Sequence, residues 1–148
     1  MQIVSGAALL PGSFTRRFTY ADGDERDFVA QVATLAKRDR HRIHLLADDT
    51  GKDYGFVALS VSETDNKPSL VIDFLFTSLP YRGTILPELN MKISDYLIGY
   101  SIQVATRLSE TVPIRYIALQ PATVELLAFY NRRGFKKLDS TDWMFLRF

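Results

Sequence analysis

The chain has 148 residues, 47% hydrophobic and 24% charged, with charges that sum to +1 at neutral pH. That length fits one compact domain over 1–148, and the near balance of charge excludes a polyelectrolyte tail and a uniformly basic surface for nucleic acid. The absence of cysteine excludes disulfides, thiolate metal sites and a cysteine nucleophile. Residues 1–10 carry no basic leader and no apolar run of membrane-spanning length, so a soluble cytoplasmic protein with no membrane association is expected.

In chain order, residues 14–19 roughly alternate apolar and polar, which predicts a half-buried first strand. Asp22, Gly23 and Asp24 supply a turn and cap for a helix over 24–38. Its buried face would carry Phe28, Val32, Leu35 and Ala36, and Lys37 and Arg38 sit where the helix dipole favours cations. Apolar runs at 43–47 and 54–61, joined by Asp-Asp-Thr-Gly-Lys-Asp, predict an antiparallel hairpin. After a second polar turn, 70–77 is apolar enough for a central strand. A long helix is predicted to begin near Pro87, to bury Ile93, Leu97, Val104 and Leu108, and to end before Pro113. A strand at 114–120, a helix over 122–132 stopped by Gly134 and a last strand at 143–148 complete the order. The reading is an α/β (α+β) fold, a mixed and largely antiparallel sheet of about six strands flanked by helices.

Asp73 is the one charged residue inside 70–77. A buried carboxylate must be paired or perturbed, and a raised pKa suits a general base; on an exposed face, or paired with an arginine, it would do no chemistry. Both readings stand. His41 and His44, three apart, would point to opposite faces of a strand, and no acidic or cysteine partner completes a metal set, so structural or exposed roles and no metal are expected.

Two segments carry a family resemblance. Residues 70–83, ending Pro80-Tyr81-Arg82-Gly83, are similar to the central strand and following turn of the GCN5-related N-acetyltransferase (GNAT) superfamily. Ala128-Phe129-Tyr130-Asn131-Arg132-Arg133-Gly134-Phe135 resembles its C-terminal helix ending, in which a tyrosine stands four residues before a glycine-phenylalanine pair. From the start of the first segment to the end of the second, 70–135, the resemblance extends over about half of the chain, and the element order is similar too.

The resemblance implies direct transfer of an acetyl group from acetyl-CoA to an unidentified primary amine within a ternary complex. Such transfer needs a deprotonated amine, a polarised carbonyl and a proton for the departing thiolate. Tyr130 is then the candidate general acid, with core packing as the alternative, and Asp73 is the candidate base, acting directly or through water. The main chain of Leu75, Phe76 and Thr77 would hold the pantetheine arm, and Arg82, Gly83 and Thr84 would meet the pyrophosphate. Thr123 matches a pantetheine-side position, although its simplest task is to cap the next helix. The acceptor pocket would draw on the regions around Phe28 and 139–143.

The phosphate loop departs from the superfamily pattern. Bare amides at a helix N-terminus bind anions, and small residues let the phosphate approach. Here Ile85 and Pro87 replace two of the small residues, and proline has no amide to donate. About three additional residues also separate Gly83 from the helix stripe, which predicts a bulged loop. A non-catalytic binding or regulatory domain on the same fold is one alternative. Another is acylation of aminoacyl-tRNA, as in small acyltransferase toxins of similar size and helix ending. That needs the basic run 37–42 to converge with Arg132, Arg133, Lys136 and Lys137, residues that are otherwise solvated surface. A homodimer through the edge of the C-terminal strand is a further expectation.

Overall fold

The structure, a computed structural model, describes residues 1–5, 13–138 and 140–148. Part of the N-terminal stretch read above as lacking a leader, and residue 139 of the acceptor region, lie outside the described residues. The main sheet contains β1 (Gln2–Ser5), β2 (Arg42–Ala47), β3 (Asp53–Thr64), β4 (Lys67–Thr77), β7 (Tyr116–Leu119), β8 (Lys136–Lys137) and β9 (Met144–Arg147), in the order β1-β2-β3-β4-β7-β9-β8. Neighbours are antiparallel except β4 and β7, which run parallel. A separate ribbon pairs β5 (Ile85–Leu86) with β6 (Met91–Lys92), and the helices are α1 (Gly23–Lys37), α2 (Ile93–Ser109) and α3 (Glu125–Asn131). The α+β class with a largely antiparallel sheet is as expected.

Strand alternation sends side chains to two cores. Leu45, Phe56, Ala58 and Phe76 meet Val29, Val32, Ala33 and Ala36 of α1, while Leu46, Val57, Leu59, Leu70 and Ile72 meet Ile93, Leu97, Ile98 and Ala105 of α2. Asp22 caps α1, its side chain accepting from the Glu25 amide at 2.9 Å. Two residues with positive φ, Asp65 at 51° and Asn66 at 61°, make the tight turn between β3 and β4. His44 ties the sheet to α2 through Tyr100, with 2.8 Å between the Tyr100 hydroxyl and the imidazole Nδ1.

Several expectations are corrected. Residues 14–19 do not form a strand: Phe14–Arg17 is a 3₁₀ turn, and Phe14 and Phe18, four apart, both enter the aromatic core with Phe56. That spacing belongs to a helical turn, and the strand at the sheet edge is β1, paired with β2. The buried face of α1 is rotated by one residue, leaving Phe28 59% exposed. α2 begins at Ile93, because Pro87 lies in the turn of the β5–β6 ribbon, where Leu89 and Asn90 amides donate to the Leu86 carbonyl. α3 begins at Glu125 with Val124 at its N-cap and no side-chain cap, so Thr123 does not perform the capping expected of it. The C-terminal strand β9 is not an edge, since β8 and its two exposed lysines lie outside it.

Two outcomes test this packing. A Cβ added at Gly55 would overlap the Phe76 carbonyl oxygen of β4, so Gly55→Ala is expected to cost about 2 kcal/mol and lower Tm by roughly 6 °C in thermal denaturation. Burial, with a smaller contribution from Arg42, lowers the His44 pKa from 6.5 to about 4. Its neutral form is favoured by the fold, so the stabilisation is complete above pH 6.5 and erodes as pH falls from 6.5 toward 4. His44→Gln should therefore lose less Tm than the wild type between pH 7 and 4.5.

Candidate active site

β4 is paired on both sides only for its first half. Its register with β7 runs from Ser69↔Tyr116 to Ile72↔Leu119 and stops there. On the other side, the register with β3 passes from Leu59↔Ile72 to Ala58↔Phe74 and leaves Asp73 unmatched, a β-bulge. A bulge bends its strand and increases the twist, so β4 swings away from β7 at the residue where their pairing ends. The cleft so opened is lined by Asp73, Phe74, Leu75 and Thr77 of β4, by Leu119 and Gln120 at the end of β7, and by Phe129 and Tyr130 of α3.

Alternation fixes which main-chain groups of β4 face the cleft. The Ser78 amide donates to Tyr54 of β3 and the Phe76 carbonyl points at Gly55, so the even-numbered residues turn toward β3. Leu75 therefore turns its N–H and C=O groups to the cleft, as does Thr77, whose carbonyl is taken by Arg82. Phe76 lines the cleft as well, with its main chain facing β3 and its ring in the α1-side core.

Arg82 is engaged by the protein itself. Its Nε donates to the Thr77 carbonyl at 2.7 Å, and its Nη2 contacts the Glu25 carboxylate of α1. Gly83, with φ of 71°, lines the cleft, as does Ser94 in the first turn of α2. The intervening ribbon thus loops out while its two ends return to one wall. Ile85 and Pro87 are not cleft-lining residues, and Thr84 is exposed outside the lining too. Thr123 borders a neighbouring depression with Val124, Leu127 and Lys137.

Tyr130 is 7% exposed and packs edge-on against Phe129 and Phe135. Burial raises the phenol pKa above its ordinary value of 10 against an opposing effect of Arg133, so the hydroxyl keeps its proton throughout the neutral range. Arg133 is anchored by the Asp95 carboxylate of α2, by the Phe129 carbonyl at 2.8 Å and by the Phe129 ring. It fixes α3 against α2 and with it the position of Tyr130.

Asp73 is not the buried carboxylate that its apolar strand suggested. Its side chain is 33% exposed, and its ionic partner is His41, with 3.6 Å between Nδ1 and Oδ2, rather than an arginine. His41 therefore belongs to the site although the sequence marked it as structural; only the fold reveals the juxtaposition, 32 positions apart. Among the described residues no group of three His, Cys, Asp or Glu is placed to hold a metal ion, and no helix is long and apolar enough to cross a membrane.

The basic residues do not converge. Arg42, Leu59, Ile72, Leu119, Met144 and Lys137 occupy one row across the sheet, so Arg42 and Lys137 are separated by the widths of β3, β4, β7 and β9. At about 4.8 Å per strand spacing that is roughly 24 Å, with the cleft between them.

The same fold occurs in solved toxin structures. A tyrosine-to-phenylalanine mutant of the toxin AtaT, bound to the C-terminus of the antitoxin AtaR, matches with a TM-score of 0.78 at 15% identity, over 99% of this chain and 92% of that one. The AtaTR structure bound with AcCoA matches with a TM-score of 0.76 at 16% identity, over 98% and 92% of the two chains. AtaT complexed with acetyl-methionyl-tRNAfMet gives 0.72 at 15%, over 99% and 95%. These toxins have the GNAT fold, so the fold class expected from the two motifs stands. No protein-family model matches the sequence, and no curated protein does.

Proposed function

We propose that this chain is an acyl-CoA-dependent N-acyltransferase that moves an acetyl group from acetyl-CoA to a primary amine by direct transfer in a ternary complex. The observation that carries this reading is the cleft between β4 and β7, with a protonated tyrosine on one wall and a carboxylate on another. Leu75 presents a main-chain donor and acceptor as an unpaired strand would, and with the Thr77 N–H it would hold the amides of the pantetheine arm. The Leu75 N–H also suits polarisation of the thioester carbonyl. Attack by the amine forms the C–N bond and breaks the C–S bond; Tyr130 supplies the proton that the thiolate takes up, and its phenol is restored by the proton leaving nitrogen.

The donor's phosphates would meet Gly83 and the first-turn amides of α2 around Ser94, since both ends of the ribbon line the cleft. Pro87 lacks an amide, but it stands in the ribbon turn, so its substitution does not remove a donor from that wall. Arg82 lines the same cleft and braces β4 against α1 through Thr77 and Glu25. Phe28, stacked over Phe74 at 18° between ring planes, borders the side from which an amine would enter. The expected setting is the cytoplasm, where acetyl-CoA is available.

A second, narrower reading of the acceptor is the amine of an aminoacyl-tRNA. Its support is the likeness to AtaT complexed with acetyl-methionyl-tRNAfMet; the separation of Arg42 from Lys137 across the sheet stands against it.

Acetyl-CoA at a hundred times its Kd should stabilise the protein by about 2.7 kcal/mol, a rise in Tm of roughly 5 to 10 °C. Tyr130→Phe should keep that rise and lose about 100-fold in kcat. An unchanged Tm at millimolar acetyl-CoA would instead leave a binding domain on this fold. For the narrower reading, expression should arrest growth and Tyr130→Phe should relieve the arrest; vigorous growth at high expression would count against tRNA as the acceptor.

A further inference from the structure

α1 ends in a left-handed turn that determines where the next residues go. Asp39 has φ of 57°, the Asp39 amide donates to Ala36 and the Arg40 amide to Leu35, the paired bonds of a Schellman motif. The chain reverses there and tucks His41 under the helix, with its side chain only 5% exposed. Nε2 lies 2.8 Å from the Val32 carbonyl oxygen of α1, and Nδ1 lies 3.6 Å from Asp73 Oδ2 at the bulge of β4. A carbonyl can only accept, so Nε2 carries a proton. A second proton on Nδ1 then turns a repulsive contact between lone pairs into an ion pair.

Asp73 is also the residue at which two depressions meet. It lines the cleft with Tyr130, and it lines a groove on the α1 side of the sheet bordered by Ser60, Ser62, Glu63 and Trp143. No other residue is common to both linings. The carboxylate therefore stands where an amine entering along the groove would reach the thioester in the cleft.

We propose that His41 is the positioning residue of Asp73, holding the carboxylate at this junction so that it takes the proton released when the acceptor ammonium becomes an amine. This rests on the acyltransferase reading. The balance is simple: the ammonium N–H bond breaks, its proton passes to Asp73 Oδ1, the oxygen not turned to His41, and then to solvent, and the neutral nitrogen keeps the pair that forms the C–N bond. The second N–H proton, lost after attack, replaces the one Tyr130 gives to sulfur. His41 changes no bonds; its charge and its tie to Val32 restrict the carboxylate's rotation at the bulge.

The pairing has a signature of its own. The contact with Asp73 raises the His41 pKa above 6.5, helped by the Val32 carbonyl and opposed by burial. Asp73 is the charged group facing the ring from β4, α1 contributes the uncharged Val32 carbonyl, and Asp39, Arg40 and Arg42 beside it in sequence are exposed.

Ring titration by NMR on the whole protein should find His41 above 6.5 and should find it lowered in Asp73→Asn; a value indifferent to Asp73→Asn would overturn the pairing. His41→Gln keeps an N–H for Val32 but carries no charge. With acetyl-CoA and methionyl-tRNA as the probe acceptor, it should lower kcat/KM about tenfold in the wild-type background and leave it unchanged in Asp73→Asn, since the two side chains act as one unit. An equal loss in both backgrounds would reduce His41 to a structural role. Absence of methionyl-tRNA turnover in the wild type would overturn tRNA as the acceptor, and the ring titration would then decide the pairing by itself.

Discussion

The bulge at Asp73 is the constraint on which the candidate site depends. A strand paired continuously on both sides has its main-chain donors and acceptors satisfied and nothing to offer a ligand. One extra residue in β4 opposite Ala58 and Leu59 ends the ladder with β7 at Ile72 and turns the backbone of Leu75 and Thr77 to the cleft, the Thr77 carbonyl being taken up by Arg82. The ladder with β3 resumes at once at Phe74, so the freed edge is supported from behind rather than frayed. Gly55 permits that support, because the Phe76 carbonyl occupies the space where its side chain would be. The site is thus a break in a sheet, held open by the continuity of the pairing beside it.

The two faces of the sheet divide the electrostatics of the cleft. On the α2 and α3 side, Asp95, Arg133 and Phe129 form a closed set of contacts that fixes the turn carrying Tyr130, and burial keeps the phenol neutral. On the α1 side, His41 and Asp73 form a pair at the rim, where solvent reaches the carboxylate. Under the proposed acyl transfer, the sheltered phenol would keep a proton for the thiolate and the solvent-facing carboxylate would let the other leave. Arg82 and Glu25 add a third link, tying α1 to the far end of β4 and limiting how far the splayed strand can move.

How much of this was legible in the sequence follows from the range of the interactions involved. The helix over 24–38, the strands at 43–47, 54–61 and 70–77 and the glycine stop after α3 are short-range patterns, and the fold keeps them. Phe14 and Phe18 misled because a six-residue window cannot separate alternation from an i, i+4 pair. Asp73 was visible as an anomaly, but its exposure arises from the bulge, a register event between two strands that neither strand encodes alone. His41 escaped notice as a site residue for the same reason: the Schellman turn is local, whereas the carboxylate it reaches lies across the sheet. Thr123 carried the composition of a cap, yet α3 begins two residues later without one.

The β5–β6 ribbon bears on whether departure from a phosphate-loop pattern removes the chemistry of the loop. A backbone cradle depends on which amides face the anion, not on an unbroken succession of small residues. Proline in the cradle would delete a donor and Ile85 would obstruct approach. In this chain both residues leave the cleft wall, because Ile85 and Leu86 pair with Lys92 and Met91 and carry the extra length outward. Asn90, with φ of 56°, completes the reversal that returns the chain to Ile93. Gly83 and Ser94, on either side of the ribbon, then both line the cleft, and the extra length is taken up by the ribbon's own pairing.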